Sequence, residues 1–304
     1  MKIGIDMGGS HVAIGIVNEN GKIIEKFEKD IKTVGDQAKA EISTYIIEII
    51  SKIKENHNIE KIGIGSPGTP RDGVLTNLIN LKIKEFDISS ILMEHFDIPV
   101  LLKNDAKCAG LAEKTYGALK EYQDAVFLCL GTGIGASVFM NGKELKPIQN
   151  PGMEIGHMVI DKNGIKCNCG KTGCFETLCS VKRLKDKLID EMNLSKEVSS
   201  KASVTAYRGS AQSMNDVASC KEENIKKILD EYIDNLNIGL SNIIDIFAPQ
   251  AICLGGGFVY FEEILYKPFL EKYYNERKSF YKDRIPDIKL ALLGNDAGII
   301  GATI

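Results

Sequence analysis

The sequence predicts a two-lobed α/β protein, and three observations support this prediction. At 304 residues the chain exceeds the roughly 250 to 300 residues at which a single hydrophobic core usually stops growing. Segments with strand-like and helix-like periodicity alternate along it, as in α/β domains. A strand, a glycine turn and a second strand occupy residues 3–22 and recur in the same order and length at 125–144. This repetition indicates an internal duplication, with one hairpin at the start of each lobe.

Composition and charge indicate a globular protein and argue against a nucleic-acid-binding one. Hydrophobic residues make up 44% of the chain and charged residues 26%, which is typical of a globular protein. The 38 Lys and Arg residues nearly balance the 41 Asp and Glu residues, and neither sign forms a long block. We therefore expect no nucleic-acid partner, and a small neutral or phosphorylated partner fits better.

We expect a cytoplasmic protein. The N-terminal stretch MKIGIDMGG lacks the basic and then apolar pattern of a signal peptide, and no run reaches the roughly 18 apolar residues of a membrane span. No membrane partner is therefore expected. In the cytoplasm the eight cysteines favour metal binding or simple burial over disulfide bonds.

In the first lobe the periodicity predicts a meander, a helix and two short strands. Alternating apolar residues broken by two turns indicate antiparallel strands over residues 3–21. Apolar residues at helical spacing predict an amphipathic helix over residues 42–53. Short strands follow at 62–65 and 100–102, and a helix runs from the second of these to about Glu113.

In the second lobe the hairpin at 125–144 comes first. Residues 181–224 are rich in Lys and Ser and predict only a surface helix and loops. A long amphipathic helix has its apolar positions from Ile225 to Ile244. A strand at residues 251–254 follows it and leads into the third glycine turn of the chain.

Three glycine turns follow predicted strands and are candidate phosphate-binding sites. Glycine permits close backbone approach, so successive N–H groups can converge on phosphate oxygens, and Ser or Thr hydroxyls add donors. The candidate residues are Gly8, Gly9, Ser10, Gly131, Thr132, Gly133, Gly255, Gly256 and Gly257. The second turn is not a dinucleotide fingerprint, because a strand rather than a helix follows it. One turn in each lobe, with the third nearby, predicts a nucleotide held between the lobes.

Two aspartates lie where strands meet turns. Asp6 precedes the first glycine turn and could hold a Mg²⁺ ion that bridges phosphates, or it could cap its own turn. Asp105 stands between a strand and a helix, where it could be the N-cap. An N-cap beside a cleft is also where a general base could accept a hydroxyl proton, so the two roles are compatible.

A cluster of one histidine and three cysteines predicts a structural zinc site. His157, Cys167, Cys169 and Cys174 supply the Cys₃His set of a closed tetrahedral site, whereas the alternative is three buried thiols and an unrelated histidine. Gly170 and Gly173 let the chain turn between the ligands, and the metal would fix the loop that carries Glu154 and Glu176. The other cysteines lack such spacing and are expected to be buried.

Together these motifs resemble those of the ROK family of sugar kinases and repressors. The matching stretches are DMGGSH at 6–11, LGTG at 130–133, EIGH at 154–157, CNCGKTGCFE at 167–176 and NDAG at 295–298. The resemblance implies a two-lobed actin/hexokinase-like ATPase fold, made of duplicated ribonuclease H-like lobes with a zinc-binding loop. It implies a first lobe of residues 1–115 plus 292–304 and a second of residues 116–291.

The resemblance also implies an activity, which is transfer of the ATP γ-phosphoryl group to the 6-hydroxyl of a hexose with Mg²⁺ as cofactor. Asp105 would be the general base. The residues that would bind the sugar are Asn104, Asp105, Glu154, His157 and Glu176, while Gly255 to Gly257 would lie by the adenosine. A homodimer is expected for the same reason.

The preferred sugar is less closely specified by the sequence. Before Glu154 the family usually has Ala-Gly, whereas this chain has Gly152-Met153. Short matches, including Met7 and His11, resemble allose kinases, so glucose or allose is expected. Alternatives are a kinase of N-acetylmannosamine, N-acetylglucosamine or fructose, and a non-catalytic sugar-sensing regulator. The acidic charge, and a chain that begins directly at the first phosphate strand, argue against a DNA-binding repressor.

Overall fold

The computed structural model describes residues 1–68, 70, 73–146, 153–191, 223–276, 280 and 284–304. It divides the chain into two units, one of Met1–Lys120 with Leu292–Ile304 and the other of Glu121–Ala291. Gly152 and Cys220, and most of the segment expected to form a surface helix and loops, lie outside the described residues.

The first unit is built on a five-stranded sheet. Its strands are β1 (Lys2–Met7), β2 (His11–Val17), β3 (Ile23–Asp30), β4 (Lys61–Ser66) and, after a short hairpin of β5 (Leu75–Leu78) and β6 (Ile83–Phe86), β7 (Val100–Asn104). The strand order is β3-β2-β1-β4-β7. Strands β1 to β3 form the predicted antiparallel meander, and β1, β4 and β7 run parallel, so their carboxyl ends share one edge.

Helices cover this sheet because each one carries an apolar stripe. They are α1 (Gly35–Lys54), α2 (Ile88–Phe96) and α3 (Asp105–Tyr116). Ile42, Ile46 and Ile50 of α1 are fully buried in the core with the strand residues, as the helical spacing predicted. The helices therefore bury the sheet and leave its carboxyl edge to turns.

The last helix belongs to the first unit although it is far away in the sequence. Residues Ala297–Ala302 are all buried and pack against β1, β4 and α3. The approach is between backbones: a Cβ atom at Gly63 would collide with the Ala302 carbonyl, and one at Gly301 with the Cys108 carbonyl. Only glycine lets this helix come so close to the sheet.

A single buried carboxylate holds the segments around this helix. The Glu113 side chain is fully buried, and its Oε1 accepts hydrogen bonds from the N–H groups of Leu292 (2.9 Å) and Leu293 (2.8 Å). Its Oε2 accepts one from the Ala118 N–H at 2.8 Å. Glu113 thus binds both the segment that leaves the first unit and the segment that returns to it.

The second unit has its own five-stranded sheet. Its strands are β8 (Ala125–Leu130), β9 (Ile134–Met140), β10 (Lys143–Glu144), β11 (Ala251–Gly256) and β12 (Asp287–Leu290), in the order β10-β9-β8-β11-β12. As with β1 in the first unit, β8 pairs antiparallel with the next strand and parallel with a later one. The two glycine-turned hairpins predicted from the sequence are therefore both present.

In the described part of this unit, four helices accompany the second sheet. They are α4 (Phe175–Cys179), α5 (Val181–Glu191), α6 (Glu223–Phe247) and α7 (Lys267–Glu276), and the last helix described above is α8 (Ala297–Ala302). Helix α6 buries Leu236, Leu240 and Ile244 in the core, as its periodicity predicted. Within the described ranges, no helix is both long enough and apolar enough to span a lipid bilayer.

The role of Glu113 can be tested by its isosteric amide. We expect Glu113→Gln to lower the free energy of unfolding by about 1–3 kcal/mol, because the amide presents a donor to N–H groups that need an acceptor. Urea unfolding followed by circular dichroism measures the change. Glu41→Gln is the matched control, since Glu41 lies in the same unit, outside the core, and is bonded by the Thr33 hydroxyl. Equal effects of the two changes would contradict the anchoring role of Glu113.

Candidate functional site

The first glycine turn joins β1 to β2 and presents an unused hydroxyl. The Gly8 N–H donates to the His11 carbonyl at 2.9 Å, which closes the turn. The His11 ring lies against Gly8, where a Cβ atom would collide with it. The Ser10 Oγ is buried and has no hydrogen-bond partner among the described residues. Because buried hydroxyls are normally bonded, this oxygen suits a bound phosphate.

The second and third glycine turns lie side by side in the second unit. The Gly131 N–H donates to the Gly133 carbonyl at 2.9 Å, between β8 and β9. Gly256, at the end of β11, pairs with Leu130 at the end of β8. Its φ of 68° requires glycine, and a Cβ atom there would lie 2.7 Å from the Leu130 carbonyl oxygen. The structure therefore brings two of the three predicted turns together.

Asp6 and Asp105 lie at the carboxyl edge of the first sheet. Burial raises the pKa of Asp6 to about 7, the negative charge of Asp105 adds to this, and Lys26 opposes it. Burial also raises the pKa of Asp105, against the lowering effect of the hydrogen bond that its Oδ1 accepts from the Ala106 N–H at 2.7 Å. Two carboxylates that disfavour each other's charge suit a cation between them or a proton acceptor.

The expectation that Asp105 is the N-cap of α3 is wrong. The cap is Asn104, whose extended backbone precedes the helix and whose Oδ1 accepts from the Lys107 N–H at 3.2 Å. Its amide nitrogen donates to the Gly68 carbonyl at 3.2 Å. Asp105 is the first helical residue, and its Oδ1 accepts from the Ala106 N–H, so its carboxylate is held at the start of α3 without being the N-cap.

The four predicted metal ligands are brought together in the second unit. The ligand atoms of His157, Cys167, Cys169 and Cys174 all lie within 4.8 Å of one another. Cys167 Sγ is 3.6 Å from His157 Nδ1, and Cys169 Sγ is 3.6 Å from Cys174 Sγ. A tetrahedron with Zn–S bonds of about 2.3 Å has edges of about 3.8 Å, so these spacings fit zinc.

The local backbone and charge also fit a metal. Gly170 and Gly173 have φ values of 92° and 70°, which lets the chain reverse between ligands. Burial, with added effects from the neighbouring thiols, raises the pKa of Cys174 to about 12. Ionisation of the neighbouring thiols therefore needs a cation beside them, and zinc, when bound, would supply that positive charge.

The two glutamates that flank the cluster differ in their contacts. Glu154 is exposed and precedes a single 3₁₀ turn, Ile155–His157. Glu176, on α4, accepts a hydrogen bond on Oε2 from the Ile134 N–H at 3.0 Å, and its Oε1 lies 4.0 Å from Cys167 Sγ. Glu154 thus has no side-chain hydrogen bond to the described residues, whereas Glu176 is bonded to the second glycine turn.

The chain can now be compared with known proteins. The family model described as "ROK family" matches residues 2–304. The chain belongs to the ROK family. Glucokinase from Thermotoga maritima is 31% identical over 306 residues, which cover 99% of this chain and 95% of the relative. A xylose repressor from Bacillus spizizenii is 29% identical over 255 residues, covering 83% of this chain and 63% of the repressor.

A solved ROK structure has the same fold. The glucokinase from Streptomyces griseus, in complex with glucose and AMPPNP, has a TM-score of 0.77 and 24% identity, covering 99% of this chain and 97% of its own. The resemblance drawn from the sequence motifs is therefore confirmed, and so is the mixed α/β, actin/hexokinase-like fold.

Some features of this ROK site were not visible in the sequence. A Cβ atom at Gly298 would lie 2.7 Å from the Asp6 Cγ, so α8 backs directly onto the Asp6 carboxylate. Lys26 Nζ lies 2.8 Å from Asp296 and 2.7 Å from Glu28, which places a cation near Asp6. The NDAG motif was the sequence signal for this contact, because a glycine at position 298 allows the backbone of α8 to approach the Asp6 carboxylate.

The metal prediction can be tested by elemental analysis. We expect purified protein to contain stoichiometric zinc and Cys174→Ala to lose most of it, because three ligands remain where four are needed. Cys108→Ala is the control, since Cys108 is buried in the other unit. Chelation should lower the unfolding midpoint of the wild type. Clearly substoichiometric zinc, with stability unchanged by the chelator, would contradict the site.

The pKa of Asp6 predicts how stability depends on pH. The folded protein holds a proton on Asp6 up to about pH 7, whereas the unfolded chain releases it near the ordinary value of 3.8. The folded state therefore binds more protons between these values, so its stability falls as pH rises. We compare the free energy of unfolding at pH 5 and pH 7, without added Mg²⁺ or nucleotide. Its decrease over this range should be larger in the wild type than in Asp6→Asn by on the order of 2 kcal/mol.

Urea unfolding at the two pH values measures this difference. Asp36→Asn serves as the control, because the Asp36 carboxylate is exposed in the first turn of α1 and the change alters the net charge equally. It should follow the wild-type pH dependence. Identical pH dependences for the wild type and Asp6→Asn would show that Asp6 is an ordinary carboxylate.

Proposed function

We propose that this protein transfers the γ-phosphoryl group of ATP to the 6-hydroxyl of a hexose, with glucose or allose as the expected substrates. That it is a carbohydrate kinase follows from its membership of the ROK family and its glucokinase relatives. The observation that best supports the finer assignment is Asp105. It is a carboxylate of raised pKa beside a second carboxylate, and the N-cap of α3 is Asn104 rather than Asp105.

In this proposal Asp105 is the general base. Its Oδ1 is fixed by the Ala106 N–H, which orients the carboxylate at the end of β7. Burial raises its pKa from the ordinary range towards the working pH, which favours proton acceptance from a sugar hydroxyl. The oxygen of the sugar 6-hydroxyl attacks the γ-phosphorus while its proton passes to Asp105. The bond from the γ-phosphorus to the bridging oxygen breaks, and ADP leaves.

The glycine turns and Asp6 would hold the nucleotide phosphates. The Ser10 hydroxyl, which has no partner in the described part of the chain, and the turn N–H groups offer donors to phosphate oxygens. Asp6 would hold Mg²⁺ together with the phosphates, because a buried carboxylate of raised pKa gains from a nearby cation. Mg²⁺, when bound, would neutralise charge on the transferring group. Gly255 to Gly257 would lie by the adenosine.

The sugar would be bound by Asn104, Glu154, His157 and Glu176 through its other hydroxyls. His157 Nδ1 faces Cys167 Sγ, so we assign Nδ1 to the metal and Nε2 to a sugar hydroxyl. A ring held by the metal at one nitrogen presents the other in a fixed direction. Since phosphoryl transfer depends mostly on positioning, this fixed geometry would contribute directly to the rate.

Met153 is the feature that bears most on the choice of sugar. Its φ is 57°, a left-handed conformation that favours glycine and is strained for a methionine. It stands next to Glu154, at the position where the family usually has glycine, and it packs against the core of the second unit. A larger side chain there would reshape the pocket. N-acetylmannosamine, N-acetylglucosamine and fructose are therefore the alternative substrates.

A second candidate function is a sugar-sensing regulator without catalysis. The similarity to the Bacillus spizizenii xylose repressor favours it. The presence of Asp105 favours the kinase, because a sensor needs to bind sugar but does not need a base. Turnover separates the two functions.

The test is ADP release from Mg-ATP in a coupled assay across glucose, allose, mannose, fructose, N-acetylglucosamine and N-acetylmannosamine. We expect turnover on one or two sugars. Asp105→Asn should lower kcat by roughly 10² to 10⁴, the usual contribution of a general base, with nearly unchanged sugar affinity.

Asp87→Asn is the matched control for this substitution. Asp87 lies in the same unit and caps α2 by accepting from the Ser90 N–H, so the change alters charge equally at another helix start. It should keep near wild-type turnover. Unimpaired turnover in Asp105→Asn would refute the base assignment, and sugar binding without turnover on any sugar would favour the regulator.

A further inference from the structure

The second glycine turn is held at both ends by the segment that follows Cys174. At one end the Ile134 N–H donates to Glu176 Oε2 at 3.0 Å. At the other end the Gly131 carbonyl accepts from the Lys182 N–H at 3.1 Å. Glu176 comes two residues after a predicted metal ligand, so one continuous stretch of chain brackets the turn.

The contacts leave little free space on this side of the turn. A Cβ atom at Gly133 would collide with Glu176 Oε2. A Cβ atom at Gly156 would collide with the Ile134 carbonyl, and Gly156 directly precedes His157. The turn therefore contacts both chain segments that supply metal ligands. By contrast, a Cβ atom at Gly131 would meet no atom of the described residues within 4 Å.

The link between Glu176 and the cysteine cluster is short and ordered. Helix α4 starts immediately after Cys174, whose carbonyl accepts from both the N–H (2.9 Å) and the hydroxyl (2.7 Å) of Thr177. The Glu176 Oε1 lies 4.0 Å from Cys167 Sγ. A change in the position of the ligands would thus move the carboxylate that holds Ile134.

We propose that Glu176 is a positioning residue for the phosphate-binding turn Gly131–Ile134, and that the metal centre sets the direction of the turn's N–H groups through it. The inference rests on the proposed function, because it takes this turn to bind nucleotide phosphates. Its consequence is that the metal and Glu176 govern affinity for a nucleoside triphosphate even when no sugar is present. Sugar binding alone does not require this.

The first experiment measures the turn itself, without nucleotide or sugar. Amide hydrogen exchange of residues 130–137 is followed in the zinc-loaded wild type, in chelator-treated protein restored with zinc, and in Glu176→Ala. We expect faster exchange at Ile134 in Glu176→Ala and in metal-free protein, with protection returning when zinc is restored. Unchanged exchange at Ile134 in both would overturn the proposal.

The second experiment measures binding of the non-hydrolysable analogue Mg-AMPPNP by calorimetry without sugar. Loss of a hydrogen bond to a charged group costs about 1.5 kcal/mol, so Glu176→Ala should bind about tenfold more weakly than wild type. Glu176→Gln keeps an oxygen for the Ile134 N–H and should recover most of this affinity. A purely structural defect would not be rescued in this selective way.

Glu154→Ala is the matched control, because Glu154 flanks the same cluster but is exposed and lies outside the bracket around the turn. It should weaken sugar binding and leave AMPPNP affinity unchanged. If wild type and Glu176→Ala bound AMPPNP with equal affinity, the positioning role of Glu176 would be refuted, and the proposed kinase function would not be affected. If the wild type bound no nucleotide and released no ADP, the proposed function would fail, and the exchange data would still report on the coupling.

Discussion

The first unit depends on a buried carboxylate that is bonded by backbone N–H groups and has no cationic partner among the described residues. Burying a charged group is unfavourable unless it is fully hydrogen-bonded, and Glu113 meets this condition with three backbone N–H donors. Two of these donors, Leu292 and Leu293, belong to the segment that leads into α8. The helix in turn lies against the first and fourth strands and backs onto Asp6 through Gly298. The position of the candidate Mg²⁺ ligand thus follows from bonds made elsewhere in the unit.

In the second unit, the glycine turn is supported by segments that carry the sulfur and nitrogen ligands of the candidate metal site. The contacts to its glycine turn come from Glu176 on α4 and from the segment around His157. Thiols at this spacing repel one another once ionised, so the arrangement suits a bound cation rather than an apolar core. The two hairpins have similar sequences, yet one is supported by packing and the other by residues of a candidate metal centre. All four candidate metal ligands belong to the second unit.

Features with a strong local pattern could be predicted from the sequence. Both hairpins, the long helices α1 and α6 and the Cys₃His cluster were visible as periodicity or spacing. The hairpin β5–β6 was missed, because its strands of four residues are too short for a clear alternation. The capping of α3 was misassigned, since two neighbouring residues are both good caps. The bonds of Glu113 and Glu176 join residues up to 180 positions apart, and no local pattern reveals such partners.

The position of α8 in the chain has a consequence for synthesis. Residues 121–291 are continuous and contain every strand of the second sheet, so this unit is formed from a single stretch of chain. The first unit begins to form earlier but lacks the helix that covers β1 and β4 until residues 297–302 have been made. The first unit therefore cannot follow the usual order in which an N-terminal domain completes its fold before the later part of the chain is made. Until α8 is in place, the face of β1 and β4 that it covers stays exposed.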